Sequence, residues 1–308
     1  MKISIIGQSA FGKSVLEALL EKGEDEIIGV FAPPARDNRP NDPIVDSAVE
    51  FGIPTFGFKR LRDQEAVDQF QNLEPELCVM AFVTDIVPME MINFPVFGTI
   101  QYHPSLLPLH RGPSSINWPI IKGETKSGLT IFWPDEGLDT GPVLLQKTVE
   151  IDPEETLGGL YFNKLFPLGV QAMVESVDLV RAGKAPKMVQ DESKATYEGW
   201  CKADDVIVNW SSNAKIIFDM IRGSDPQPGA NTVFDGTRLT LYDTSMRSTE
   251  YSDSVPGQVI HVNETGIEIA AVGGSIVIGR VRADRGKKIG AVEWAESVGL
   301  VVGDLFRN

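Results

Sequence analysis

The chain has 308 residues, 42% apolar and 23% charged, with a formal net charge of −15. That composition suits a globular protein with material for roughly two domains, and its acidity argues against DNA or any partner held mainly through phosphates. No apolar run approaches the roughly 18 residues of a membrane helix, and "MKISIIGQSA" lacks the order of a signal peptide. Cys78 and Cys201 form no spaced framework, so the simplest location is a reducing cytoplasm.

The first part alternates apolar runs with amphipathic ones. "KISIIG", "EIIGVFA", "IPTFGF", "ELCVMAF", "GTIQYH" and "SGLTIFW" read as strands, with helical stretches such as "KSVLEALLEKG" and "RDQEAVDQFQNL" between them. The rhythm predicts an α/β fold, a Rossmann-like, mostly parallel sheet with helices on both faces. Between the first strand and helix, "GQSAFGKS" (residues 7–14) matches G-x-x-x-x-G-K-S, a loop that cradles nucleotide phosphates, and Asp135 after "LTIFWP" could assist magnesium. The plain alternative is a tight turn with a surface lysine. G-x-G-x-x-G is absent and no acid ends the second strand, which disfavours a dinucleotide.

A long helical segment, "TLGGLYFNKLFPLGVQAMVESVDLVRAG", ends at Gly183 and Pro186. "PKMVQDESKATYEGWCKADD" reads as a linker. From residue 205 the chain is β-rich ("TRLTLYDTSMR", "GQVIHV", "GIEIAAV", "GSIVIGRV"), predicting a small C-terminal β-barrel, OB-like, or a sandwich. The expected domains are 1–204, catalytic and including the linker, and 205–308. Ten Lys/Arg and thirteen Asp/Glu lie in 205–308, so most of the negative charge belongs to the first part.

Chemistry concentrates in residues 98–145. Gln101 and His103 end a strand two positions apart and therefore share a face, and ligands of open α/β sheets bind outside the carboxyl ends of strands. Asp139 stands in the turn-rich loop "PDEGLDTG"; beside His103 it would fix the imidazole tautomer, and the pair could shuttle a proton while the Gln101 amide stabilises an oxyanion. Taken singly, each has a structural alternative: a satisfied core histidine, a turn-forming aspartate, a polar edge residue. His103 with Asp135, Glu136 and Asp139 lacks metal-ligand spacing, so no metal is expected. Cys78 reads as core, and Cys201 has no nearby base.

"HPSLLPLHRG" followed by "GLDTGPV" resembles the formyltransferases that use 10-formyltetrahydrofolate. "IGQSAFG", "FVTDIVPMEMI", "HPSLLPLHRGPSSINW", "IFWPDEGLDTG" and "ATYEG" are most similar to the folate-hydrolysing N-terminal part of 10-formyltetrahydrofolate dehydrogenases. "PGQVI" and "GKKIGAVEWAESVGLVVGDLF" are similar to the C-terminal domain of methionyl-tRNA formyltransferases. The resemblance implies His103 as general acid/base with Asp139 as its partner. It implies a pterin site at residues 81–89 (Phe82, Ile86, Val87, Pro88), held chiefly through the backbone of Ile86 and its neighbours. Asp135, Glu136 and Gly137 would close the other side. Arg111 is either structural or substrate-facing. In that family the first strand–helix turn is glycine-rich without cradling phosphate, so Lys13 and Ser14 complete the nucleotide pattern by chance and no nucleotide is expected. One departure stands out: transferases generally carry Asn where this chain has Gln101, and the dehydrogenase part has an aliphatic residue there. The expected reaction is 10-formyltetrahydrofolate hydrolysis. Methionyl-tRNA formylation is the alternative, an amino sugar is a further possible acceptor, and a folate-binding sensor without turnover is of another class. A basic RNA surface has one candidate, "RVRADRGKK", which reads more simply as a hairpin tip. The long basic insertion usual in tRNA enzymes is replaced by the short "APPARDNRPNDP".

Overall fold

Strand β1 (Lys2–Gly7) runs straight into helix α1 (Ser9–Lys22), and the pair begins the series that the apolar periodicity predicts. There follow β2 (Glu26–Ala32), α2 (Pro43–Glu50), β3 (Thr55–Gly57), α3 (Gln64–Asn72), β4 (Leu77–Ala81), α4 (Met89–Ile92), β5 (Thr99–His103) and α5 (Asn117–Ile121). Next come β6 (Lys126–Phe132), β7 (Val143–Glu150), α6 (Leu157–Gly159), a π turn (Leu160–Leu165) and α7 (Phe166–Arg181). The computed structural model describes residues 1–35, 39–249, 251 and 253–307; of the short segment 32–43, residues 36–38 lie outside the described residues. No helix among the described residues is long and apolar enough to cross a membrane.

The chain divides into two units: Met1–Gly112 with Gly128–Val149 and Lys164–Tyr197, and Pro113–Ser127 with Glu150–Asn163 and Glu198–Asn308. The first holds a seven-stranded sheet in the order β3-β2-β1-β4-β5-β6-β7. The pairs from β3 to β5 are parallel; β6 is antiparallel to β5. Strand alternation assigns the two faces. Ile3, Ile5, Leu77 and Val79 join one core with Phe11 and Leu16 of α1 and Met173 and Val177 of α7. Ile6, Cys78 and Met80 join the other with Phe70 of α3 and Met91 of α4. Among the elements that the sequence does not signal clearly, β7 and α4 have a local reason. The pattern of β7 is that of an edge strand, alternating from Leu145 onward, and α4 has only four residues.

The "GQSAFGKS" stretch is the end of a strand and the opening turns of a helix. Helix α1 starts at Ser9, so Lys13 lies inside it, paired with Glu17 at 3.6 Å. The Ser9 amide donates to Asp42 Oδ1 at 2.7 Å. A Cβ on Gly7 would sit 2.6 Å from the Ala81 carbonyl, so this glycine allows β1 and β4 to approach where the strand order reverses.

The second unit contains α8 (Ala214–Ser224), β8 (Asn231–Phe234), β9 (Thr237–Arg247), β10 (Val259–Asn263), β11 (Gly266–Ala271), β12 (Gly274–Ala283), β13 (Ile289–Gly290) and α9 (Ala291–Val298). Its antiparallel sheet has the order β10-β11-β12-β9-β8, with β13 on β12. The chain after α9 reaches both outer strands: Val233 and Arg307 exchange two backbone hydrogen bonds, and Val259 donates to Asp304. Both edges are thereby paired, as a barrel requires. The sequence reading of strands alone omits α8, which buries Ile217, Phe218 and Ile221, and α9, which buries Trp294.

Candidate active site

Gln101 and His103 lie on one face of β5, with Gln101 half-buried and His103 buried. Because β6 runs antiparallel, it ends beside Gln101, where Phe132 is the partner. The following loop, 133–142, returns Asp139 to the histidine: His103 Nδ1 stands 3.6 Å from Asp139 Oδ2, and both side chains are under 10% exposed. This is an ion-pair separation, longer than a hydrogen bond. On the other side of the ring, Nε2 lies 2.9 Å from the His110 carbonyl. A carbonyl only accepts, so Nε2 carries hydrogen and Nδ1 is the nitrogen left to exchange a proton on the Asp139 side. Asp139 Oδ2 also accepts the Gly112 amide at 2.9 Å.

Two loops thus meet at the imidazole. Asp139 has a left-handed backbone (φ 57°), as does His110 (φ 56°), a conformation costing about 1 kcal/mol in a non-glycine residue and commonly found at functional sites. The Asp139 loop organises itself. The Asp135 carboxylate accepts the Gly137 amide and the Thr140 hydroxyl, leaving Asp135, Glu136 and Gly137 exposed around it. Gly141 passes so close to Trp133 that a Cβ would come within 1.7 Å of its carbonyl oxygen.

Residues 82–88 follow β4 at the strand-order reversal, where open α/β sheets bind ligands. Phe82 (φ 62°) and Ile86 are exposed, Pro88 is half-buried, and Val87 points into the core. The Ile86 amide is taken by Asp85 Oδ1 at 2.8 Å, and Asp85 Oδ2 accepts the Leu61 amide at 2.7 Å. Any ligand contact to the Ile86 backbone would therefore fall to its carbonyl.

The segment 186–205, a linker by sequence, is instead paired along its first half. Met188 and Val143 exchange two backbone hydrogen bonds, and the Arg111 amide donates to the Thr196 carbonyl. Arg111 is fully buried. Its guanidinium donates to Gln190 Oε1 at 2.8 and 3.2 Å, to Glu192 at 2.6 and 2.9 Å, and to the Tyr197 hydroxyl at 2.8 Å. Those bonds, Glu192 foremost, hold Arg111 above its ordinary pKa against the effect of burial. The choice left open by sequence is decided: this arginine is saturated by its own chain. Gln190 and Glu192 carry no local sequence signal, since a polar run of Gln, Asp, Glu and Ser looks like any solvated connection; Thr196 falls in the "ATYEG" motif, which says nothing of its partner.

The profile of the formyl transferase family matches residues 1–177, and that of the formyl transferase C-terminal domain matches 201–299. Cytosolic 10-formyltetrahydrofolate dehydrogenase of Mus musculus is 45% identical over 253 residues, which is 80% of this chain but 28% of that protein. Methionyl-tRNA formyltransferase of Geotalea uraniireducens (strain Rf4) is 33% identical over 310 residues, covering 99% of this chain and 98% of its own length. In fold, the chain is similar to the crystal structure of HypX from Aquifex aeolicus in complex with tetrahydrofolic acid (TM-score 0.69, 21% identity, 99% of this chain and 48% of that one).

Proposed function

This chain belongs to the formyl transferase family, and from that premise we propose that it hydrolyses 10-formyltetrahydrofolate to tetrahydrofolate and formate. The observation that carries the reading is the buried apposition of His103 and Asp139, with Gln101 on the same strand face. In the proposed reaction a water oxygen attacks the formyl carbon while the His103–Asp139 pair takes its proton. The carbonyl becomes a tetrahedral oxyanion, to which the Gln101 amide donates. Collapse breaks the bond from carbon to N10, the pair returns a proton to that nitrogen, and formate leaves. Loop 82–88 and the exposed residues 135–137 would bind the pterin, and no metal takes part. Support for water as acceptor comes from the similarity to the dehydrogenases, although the chain spans under a third of the Mus musculus protein's length.

A second reading, formyl transfer to methionyl-tRNA, is favoured by the relative aligned over nearly all of both chains. It also gains from a hollow of about 340 Å³ in the second unit, lined by Arg238, Arg282 and Arg285, with one carboxylate, Asp284, among them. The test is folate product formed without acceptor, then with Met-tRNA, then with an amino-sugar nucleotide. Rapid formate release without acceptor is expected; strict dependence on Met-tRNA selects the second reading. His103→Ala and Asp139→Ala should each lower turnover at least about 100-fold, and wild-type rates in both would refute the mechanism. Folate binding with no turnover under any condition would leave a sensor.

A further inference from the structure

We propose that Arg111 and Gln190 are positioning residues: together they lock the loop carrying His110 and Gly112 to the loop carrying Asp139, and so set the His103–Asp139 geometry. The proposal rests on the functional reading above, while the bonds that carry it are internal to the chain. His103 and Asp139 are each held from residues flanking Arg111. The His110 carbonyl takes Nε2 of His103, and the Gly112 amide takes the carboxylate of Asp139. Arg111 stands between these two backbone groups, so the position of its side chain fixes both.

Gln190 makes the second connection. Its Oε1 accepts from Nε and Nη2 of Arg111, while its Nε2 donates to the carbonyls of Asp139 at 2.9 Å and of Gly141 at 2.7 Å. One amide side chain therefore bridges the two loops whose separation decides whether Nδ1 faces the carboxylate. Residues nearby in the same segment complete the lock. Thr196 Oγ1 accepts the His110 amide at 2.8 Å, and Glu192 meets the guanidinium in a two-pronged ion pair. Gln190 and Arg111 are both buried, so bonds lost there are not replaced by water.

A purely structural role would lower stability without altering the imidazole. Two substitutions separate the possibilities. Gln190→Ala removes both halves of the bridge. Gln190→Glu keeps an acceptor for Arg111 and loses the donor to the Asp139 and Gly141 carbonyls; it decides the matter if Gln190→Ala does not fold. Protein labelled with ¹⁵N-histidine contains only three histidines, and the His103 signals are identified by their loss in His103→Ala. In the wild type, the His103 Nε2–H proton should be protected from solvent exchange.

We expect that protection to vanish in the glutamine variants that fold. We also expect kcat for the formyl donor to drop about 100-fold, as for misplacement of a reacting group, with KM within about twofold. Unchanged His103 signals, or a rise in KM at constant kcat, would overturn the proposal. Should the wild type consume no formyl donor, the functional reading fails, while the histidine signals still decide the positioning role.

Discussion

Gly141→Ala tests whether the Asp139 loop must pass where it does. The added Cβ would lie 1.7 Å from the Trp133 carbonyl oxygen, an approach that real Cβ atoms essentially never make below 3.0 Å. The loop must therefore retreat by about 1.3 Å or more to restore van der Waals contact. Little can give way. The Trp133 amide donates to the Pro142 carbonyl at 2.9 Å, and Gln190 holds the Gly141 carbonyl at 2.7 Å. Asp139 is two residues away, and a retreat of this size would take its carboxylate out of the 3.6 Å apposition with His103. Misplacement by about 1 Å can cost 100-fold in rate, or about 2.7 kcal/mol of transition-state stabilisation. The assay is formate or tetrahydrofolate release at saturating formyl donor, at a temperature well below the unfolding midpoint of each protein. Gly199→Ala, at a position where a Cβ meets nothing within 4 Å, is the control for adding a methyl group. If Gly141→Ala keeps kcat within about threefold of wild type, the dependence of catalysis on this loop path is wrong.

Gln101→Ala should lower kcat about 100-fold with a small effect on KM, as for loss of one oxyanion donor, and Gln101→Asn should retain more activity; a fully active alanine variant removes Gln101 from the mechanism. Burial works to raise the Asp25 carboxyl, but hydrogen bonds from Arg181 and the α-amino group of Met1 outweigh it and hold the pKa below 3.8. A depressed carboxyl contributes stability above its unfolded pKa and loses it as pH falls through the folded one. Asp25→Asn should therefore be less stable than wild type by about 2 kcal/mol at pH 7 in urea unfolding, with the gap closing below about pH 4; a gap independent of pH would refute the assignment. Burial pushes the Cys78 thiol up to about 12, partly offset by Thr99, and burial with Asp205 pushes Cys201 up to about 11. A thiol reagent at pH 8 should titrate neither promptly in the native protein and both in denaturant; rapid native labelling of Cys78 would contradict its place in the core.

The sequence by itself determined the elements whose signal is local. Short apolar runs placed β1, β2 and β4; the packing then shows Ile3 and Ile5 on the opposite face from Ile6. Local turn chemistry and the S-L-L-P and L-D-T-G motifs pointed to His103 and Asp139, 36 residues apart in the chain. Only the tertiary structure decided that the two meet, because it depends on an antiparallel β6 and on a loop that folds back from beside Gln101. It also showed what Gly7 is for in "GQSAFGKS", since whether a glycine lines a loop or a close strand contact depends on what packs against it, here the Ala81 carbonyl. Gln190 was the least legible, and the partners of Arg111 no less so. Arg111 reaches residues 79 and 81 positions away and Gln190 also reaches ones 51 and 49 away, and no pattern along the chain distinguishes a polar residue that is solvated from one that is buried and fully bonded.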